Sequence, residues 1–329
     1  MEKIIDAIRN QDFSSLEMVL KDVIYLKDET SLKLEDKTTI LTRLKTLFLK
    51  TFEVEYYHHL IFFTFDQFHM KWHTRQNQVT YIFIAHHEDT PRRIKIDFSY
   101  DGSHYEGFQR QTKKTKTIQQ EMENVLAHLF ETKPSIHAAG RTDKGVHAYH
   151  QVAHVDIPKT IEPKKLHRLL NRMLPDDIRV LKCKEIFPLF HARFDVQSKT
   201  YRYTLLKHSD PLQAHYGHYV DQLDIKRLET ILMPLIGTHD FLSFSKFEDK
   251  KPTVKTITAI DIIETPKAYH IDIKGKGFLR YMVRIMIGNA LHDLTHETAF
   301  TINNLKSPAK DAKKYLAPSK GLYLKDIVY

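Results

Sequence analysis

The chain has 329 residues, enough for about two domains, and its 42% hydrophobic and 28% charged residues suit a globular protein. A single cysteine, Cys183, excludes a disulfide framework and every zinc site built on two or more thiolates. The formal net charge of +9 is uneven: residues 1–90 hold 11 basic and 14 acidic side chains, whereas residues 91–329 are net +12, which favours a polyanion as partner.

Residues 1–6 lack the basic-then-apolar layout of a signal peptide, and no apolar run approaches the roughly 18 residues a membrane span needs. A cytoplasmic protein with no membrane partner is therefore expected. Leu16, Val19, Leu20 and Val23 recur at helical spacing, as do Ile40, Leu41, Leu44, Leu47 and Phe48. Residues 1–90 are thus expected to form a mainly helical, independently folded appendage, and its apolar stripes need burial within it or against a protein partner. The aromatic residues of 56–68 fit a helix or a hairpin. His58, His59, His69, His73, His86 and His87 invite a metal reading, but their spacings fit no standard ligand set. Pro91 marks the expected boundary, because the residue before a proline is pushed out of the helical region.

Beyond Pro91, Ile94, Ile96 and Phe98 alternate with Lys95 and Asp97, a half-buried strand. Thr117 opens a helix with Gln120 three residues on, a capping box. Strands follow near 135–139 and 151–157, then a helix with Pro163 in its first turn and a strand near 178–183. The order then repeats: a strand at 201–206, a helix capped by Asp224 and ended by Gly237, strands near 257–263 and 269–274, a helix over 278–292, and a last strand with Leu322, Leu324 and Ile327. Each half reads β-α-β-β-α-β, the ferredoxin-like order. The expected fold is α+β: two ferredoxin-like lobes, about 91–195 and 196–329, sharing one broad antiparallel sheet with helices on one face.

Gly140-Arg141-Thr142-Asp143-Lys144-Gly145-Val146-His147-Ala148 places an aspartate between two glycines, with Arg141, Lys144 and His147 near it in sequence. Neighbouring cations favour the carboxylate, which suits nucleophilic attack better than proton donation. Asp-Lys-Gly is also an ordinary turn sequence, and locally that reading leads. The segment, however, resembles the signature of the TruA family of tRNA pseudouridine synthases. Further segments match in family order over residues 93–329, among them Tyr100-Asp101-Gly102, Gly107-Phe108-Gln109-Arg110-Gln111, Phe190-His191-Ala192-Arg193-Phe194, Lys199-Thr200-Tyr201-Arg202-Tyr203 and Phe278-Leu279-Arg280-Tyr281-Met282-Val283-Arg284.

The resemblance implies conversion of uridine to pseudouridine in the tRNA anticodon stem-loop, without cofactor or metal, by a homodimer. It implies that Asp143 starts glycosidic cleavage, either by attacking C1′ or by removing a ribose proton. Arg141 would fill the space left by the flipped nucleotide, Tyr201 would lie on the uracil, and Arg284 would pair with Asp143. His191 and Arg193 fall in a stretch the family uses near RNA. Phe108 replaces a frequent tryptophan, and Lys144 a frequent alanine. Two rivals are a catalytically idle RNA-binding or RNA-folding protein, against which the Asp143, Tyr201 and Arg284 trio argues, and a nucleoside or glycoside hydrolase, most of which need a second carboxylate.

Overall fold

A computed structural model describes residues 2–27, 32–36, 40–42, 44, 47–48, 52–57, 60–65, 68–75, 78–86, 92–112, 115–130, 133–158, 161–246 and 252–329. Pro91, His58, His59 and His87 lie outside them.

The first region is not mainly helical. Helices α1 (Glu2–Arg9) and α2 (Phe13–Val19) precede a six-stranded sheet of β1 (Leu20–Lys27), β2 (Leu32–Asp36), β3 (Phe52–Tyr57), β4 (Leu60–Phe65), β5 (Phe68–Arg75) and β6 (Gln78–His86). Its order is β2-β1-β6-β5-β4-β3, with β1 and β6 parallel and the other neighbours antiparallel. Leu20 and Val23 share helical spacing with Leu16 but lie in β1, where Val23, Ile24 and Tyr25 favour a strand. The aromatic stretch is a hairpin, with Phe52 opposite Phe65 and Tyr57 opposite Leu60. Residues 40–42, 44 and 47 are helical, as their spacing predicts.

Strand alternation divides β4 and β5 between two cores. Ile61, Phe63 and Phe65 join Met70 and Trp72 in a core with Ile4, Leu16 and Phe48. The opposite face sends Leu60 and Phe62 against Ile186, Phe187, Leu189, Phe190 and Ala192 of the second region. The Phe62 and Phe187 rings lie 4.5 Å apart. Full burial of each such side chain is worth about 1.5–3 kcal/mol, so the appendage's outward apolar face is covered by this chain itself.

Residues 92–329 build a large, mostly antiparallel sheet, so the fold is α+β. Its strands are β7 (Arg92–Tyr100), β8 (His137–Ala138), β9 (His147–Ile157), β10 (Ile178–Ile186), β11 (Ser198–Leu206), β12 (His218–Tyr219), β13 (Gly237–Asp240), β14 (Val254–Glu264), β15 (Ala268–Gly275) and β16 (Leu322–Val328). The order is β10-β7-β9-β16-β11-β15-β14-β13, with β8 paired to β9 and β12 to β11. The parallel pairing of β16 with β9 joins the two halves. Helices α3 (Ile118–Phe130), α4 (Pro163–Met173), α5 (Ile225–Leu232) and α6 (Met282–His296) pack on it in one continuous core, followed by a short α7 (Phe300–Lys306).

The helix ends differ in detail from the sequence reading. Thr117 Oγ1 accepts from the Gln120 N–H at 3.3 Å, but the Gln120 side chain turns forward to Asn124, so the capping box is half made. Asp224 caps α5 by accepting from the Arg227 N–H at 3.0 Å. Gly237 does not end that helix: α5 stops at Leu232, a 3₁₀ turn over Met233–Leu235 holds Pro234, and Gly237 opens β13. Helix α6 starts at Met282, four residues later than predicted, because Tyr281 takes a left-handed conformation with φ 64°. Among the described residues no helix is long and apolar enough to cross a membrane.

Candidate active site

Asp143 sits in the loop between β8 and β9, clasped by the segment that follows β7. The Phe108 N–H donates to the Thr142 carbonyl at 3.0 Å, and the Gly145 N–H to the Tyr105 carbonyl at 3.4 Å. Thr142 Oγ1 and the Tyr100 hydroxyl share a 2.8 Å hydrogen bond, and Gln151 Nε2 donates to the Gly140 carbonyl at 2.8 Å. Gly107 has φ 95°, and a Cβ there would lie 2.9 Å from the Thr142 carbonyl oxygen, so this position requires glycine. The two sequence motifs are thus two sides of one fastening.

The charge that faces Asp143 comes from far along the chain. Arg284 Nη1 lies 3.8 Å from Asp143 Oδ2, while Arg284 Nε donates to the Ala317 carbonyl at 2.8 Å and so aims the rest of the guanidinium at the loop. Burial raises the Asp143 carboxyl above its ordinary value, and the charges of Arg284 and then Arg280 pull it back. The sequence neighbours do not supply this field. Lys144 pairs with Glu106 at 2.5 Å, so it is engaged within the protein. His147 is 2% exposed, and burial lowers its pKa. Its Nδ1 accepts from the Gly102 N–H at 3.2 Å, and its Nε2 faces the His215 carbonyl at 3.0 Å.

Tyr201 lies on β11, opposite Leu324 of β16. Its buried ring meets Phe278 edge-on, with centroids 5.0 Å apart at 81°. Burial, and the nearby Tyr100 and Asp143, raise its phenol above the ordinary value. The structure separates it from Tyr203, which shares its face: the Tyr203 hydroxyl donates to the Pro318 carbonyl at 2.9 Å. Tyr201 has no such anchor among the described residues.

Arg141 is exposed, and no carboxylate pairs with it among the described residues. Burial and then the charge of Arg193 lower its pKa. Lys199 Nζ donates to the Ala139 carbonyl at the foot of the same loop. Burial and then Arg193 lower this lysine to about 8. Arg284 and Arg280 thus act on the Asp143 carboxylate, while Arg193 acts on Arg141 of the same loop and on Lys199 at its foot, an arrangement suited to a polyanionic substrate carrying its own phosphates.

Sequence reasoning did not single out Arg280, Lys199, Phe278 or Tyr281. Arg280 stands four residues before Arg284, a spacing that could have flagged it. Tyr281, whose ring lies under both guanidiniums at 5.0 Å from Arg280 and 5.5 Å from Arg284, gives no sequence signal of its left-handed backbone. A cavity of about 400 Å³ lined by Lys144, Arg284, Ser319 and Lys320 opens beside the loop. A larger one of about 550 Å³, along Tyr149, Tyr216 and Tyr323, touches neither Asp143 nor Tyr201.

The family model described as tRNA pseudouridine synthase matches residues 98–195 and 231–329. The chain is 37% identical over 245 residues to a tRNA pseudouridine synthase A of Exiguobacterium sp., covering 72% of this chain and 98% of that protein. It is 38% identical over 250 residues to the tRNA pseudouridine synthase A of Bacillus subtilis, covering 72% and 99%. Among solved structures, a chain of an H/ACA RNP bound to a substrate RNA aligns with 71% of this chain and 56% of its own length, at 11% identity and a TM-score of 0.25, a likeness too weak to carry an argument.

Proposed function

The chain belongs to the tRNA pseudouridine synthase family, and from that premise we propose that it isomerises uridine in the tRNA anticodon stem-loop, with Asp143 starting the chemistry. The observation that carries this reading is the Asp143 carboxylate held against Arg284 beside Tyr201. The isomerisation detaches uracil from C1′, rotates it and rejoins it through C5, with no net redox change. An ionised carboxylate is needed whether it attacks C1′ or takes a ribose proton. Flipping the target nucleotide costs a few kcal/mol. Arg141, planar and unpaired by any carboxylate among the described residues, is suited to fill the vacated stack. Tyr201 offers an aromatic face to the uracil, an interaction worth about 1–3 kcal/mol per base.

Each half is read as ferredoxin-like, a reading supported by the strand orders β10-β7-β9-β8 and β16-β11-β15-β14, both 4-1-3-2 within their half. A homodimer in the cytoplasm, with one tRNA contacting both subunits, completes the proposal. Pseudouridine mapping in tRNA incubated with the purified protein tests the activity; absence of pseudouridine from the anticodon stem-loop would reject the site assignment.

Two expectations follow from the geometry. Gly107→Ala forces a side chain into a left-handed position against the Thr142 carbonyl, so it is expected to cost about 1–3 kcal/mol of stability. The shifted loop should also slow single-turnover pseudouridine formation about tenfold or more. An unchanged rate would show that the clasp does not position Asp143. The +12 charge of residues 91–329 implies several phosphate contacts. Affinity for tRNA should then drop at least about tenfold between 50 and 200 mM salt; a flat filter-binding profile would reject a backbone-tracking surface.

A further inference from the structure

Strand β5 places one lysine outside its own core and inside the other region. Lys71 is 7% exposed. Its Nζ lies 3.1 Å from Oδ1 of Asp195, which is 0% exposed, and donates to the Leu189 carbonyl at 2.7 Å. It therefore grips both ends of the 189–195 loop. Asp195 Oδ2 in turn accepts from the His191 N–H at 2.8 Å, closing the loop on itself. The second region holds the same loop from its other side: Arg93 donates to the Phe190 carbonyl at 2.6 Å, and the Tyr329 hydroxyl to the Ala192 carbonyl at 2.6 Å. At the tip, Phe194 is 68% exposed. Arg193 stands over the Phe194 ring at 5.9 Å, and the His191 ring of the same loop lies 5.9 Å from that of His137 on β8, the strand that leads into the Asp143 loop, so the charge of Arg193 reaches Arg141 and Lys199.

We propose that Lys71 is a positioning residue for tRNA: by pairing with Asp195 it fixes the 189–195 loop so that Arg193 and Phe194 stand at the rim of the Asp143 cleft. The first region, though net negative, then serves the substrate site without touching RNA. This rests on the tRNA reading above. A buried pair that loses one partner strands a charge, whereas removing both partners together is often tolerated. The pair also lies away from Asp143, so its effect is on binding and not on the chemical step.

The test uses full-length protein and an unmodified tRNA transcript. Lys71→Met combined with Asp195→Asn is expected to raise KM about tenfold while kcat stays within about twofold, and Arg193→Gln alone to do the same. In the neutral-pair background Arg193→Gln should add less than about twofold, because its position is already lost. Lys71→Arg, which keeps the buried cation, should hold KM within about threefold of wild type. An unchanged KM in the neutral pair, a fall in kcat at constant KM, or effects of Lys71 and Arg193 that simply multiply would each overturn the proposal. If the neutral pair does not fold by circular dichroism, Asp195→Asn, which keeps the shape and removes the charge that holds Lys71, decides with and without Arg193→Gln, and multiplying effects again overturn it. If the wild type forms no pseudouridine, the functional reading fails, and the same cycle measured as Kd for tRNA still decides this one.

Discussion

Asp143→Ala is expected to abolish pseudouridine formation, lowering single-turnover rates at least about 10⁴-fold, or about 5 kcal/mol of transition-state stabilisation. Affinity for tRNA should stay within a few fold, since the many basic residues of the net +12 second region share the phosphates and the carboxylate itself repels them. Separate measurement of Kd and of the rate at saturating enzyme distinguishes the two. Residual turnover of a few per cent would remove Asp143 from the chemistry. Asp143→Asn makes the stricter comparison, because it keeps the shape and removes only the charge.

Arg284 carries the second large effect, and its sign in pH follows from the carboxylate's surroundings. Burial raises the Asp143 carboxyl, and Arg284 is the first influence pulling it down. The working form is the ionised one, so activity falls as pH drops through that raised value. Removing Arg284 raises it further, so the acid limb of the rate profile should move to higher pH in Arg284→Leu. A rate loss of about 10²-fold or more at neutral pH is expected, the size typical of removing one electrostatic partner at a reacting centre. Arg284→Lys keeps a charge but loses the fork that binds the Ala317 carbonyl and faces Asp143 together. It should fall between wild type and Arg284→Leu, with a smaller shift of the acid limb. Identical profiles for all three would show that the 3.8 Å pairing has no part in the reaction.

Residues 92–329 were legible because their strands alternate and their helices carry caps, so local chemistry and tertiary burial agree. Ile94, Ile96 and Phe98 point to one core, and Asp224 caps its helix. The first region resisted reading for an opposite reason. Residues 60–63 are a continuous apolar run, which has no period because both faces of β4 are buried, one in its own core and one against the second region. Lys71 looks on paper like any solvent-facing lysine, and a pattern of polar and apolar residues does not tell water from a buried carboxylate. At the site, the motif around Asp143 identified the loop and the family resemblance named Arg284 as its partner, which the 3.8 Å pairing matches, but the cations read from the residues alone were the sequence neighbours. Folding turned Lys144 toward Glu106 and buried His147, and added Arg280 to the expected Arg284.

Strand β16 lies between β9 and β11, and Tyr323 pairs with His147 across about half the chain. Contacts this distant in sequence repay their loop-closure entropy late. Each half-sheet is therefore expected to collapse first and the seam to close afterwards. Asp143 stands just before β9 and Tyr201 on β11, so the distance between carboxylate and aromatic ring is set only when β16, already paired with β11, docks on β9. Until then β9 and β16 each present an unpaired edge open to another chain. The part of the molecule that holds the proposed active site is in this way also where a newly made chain is most exposed to misassembly.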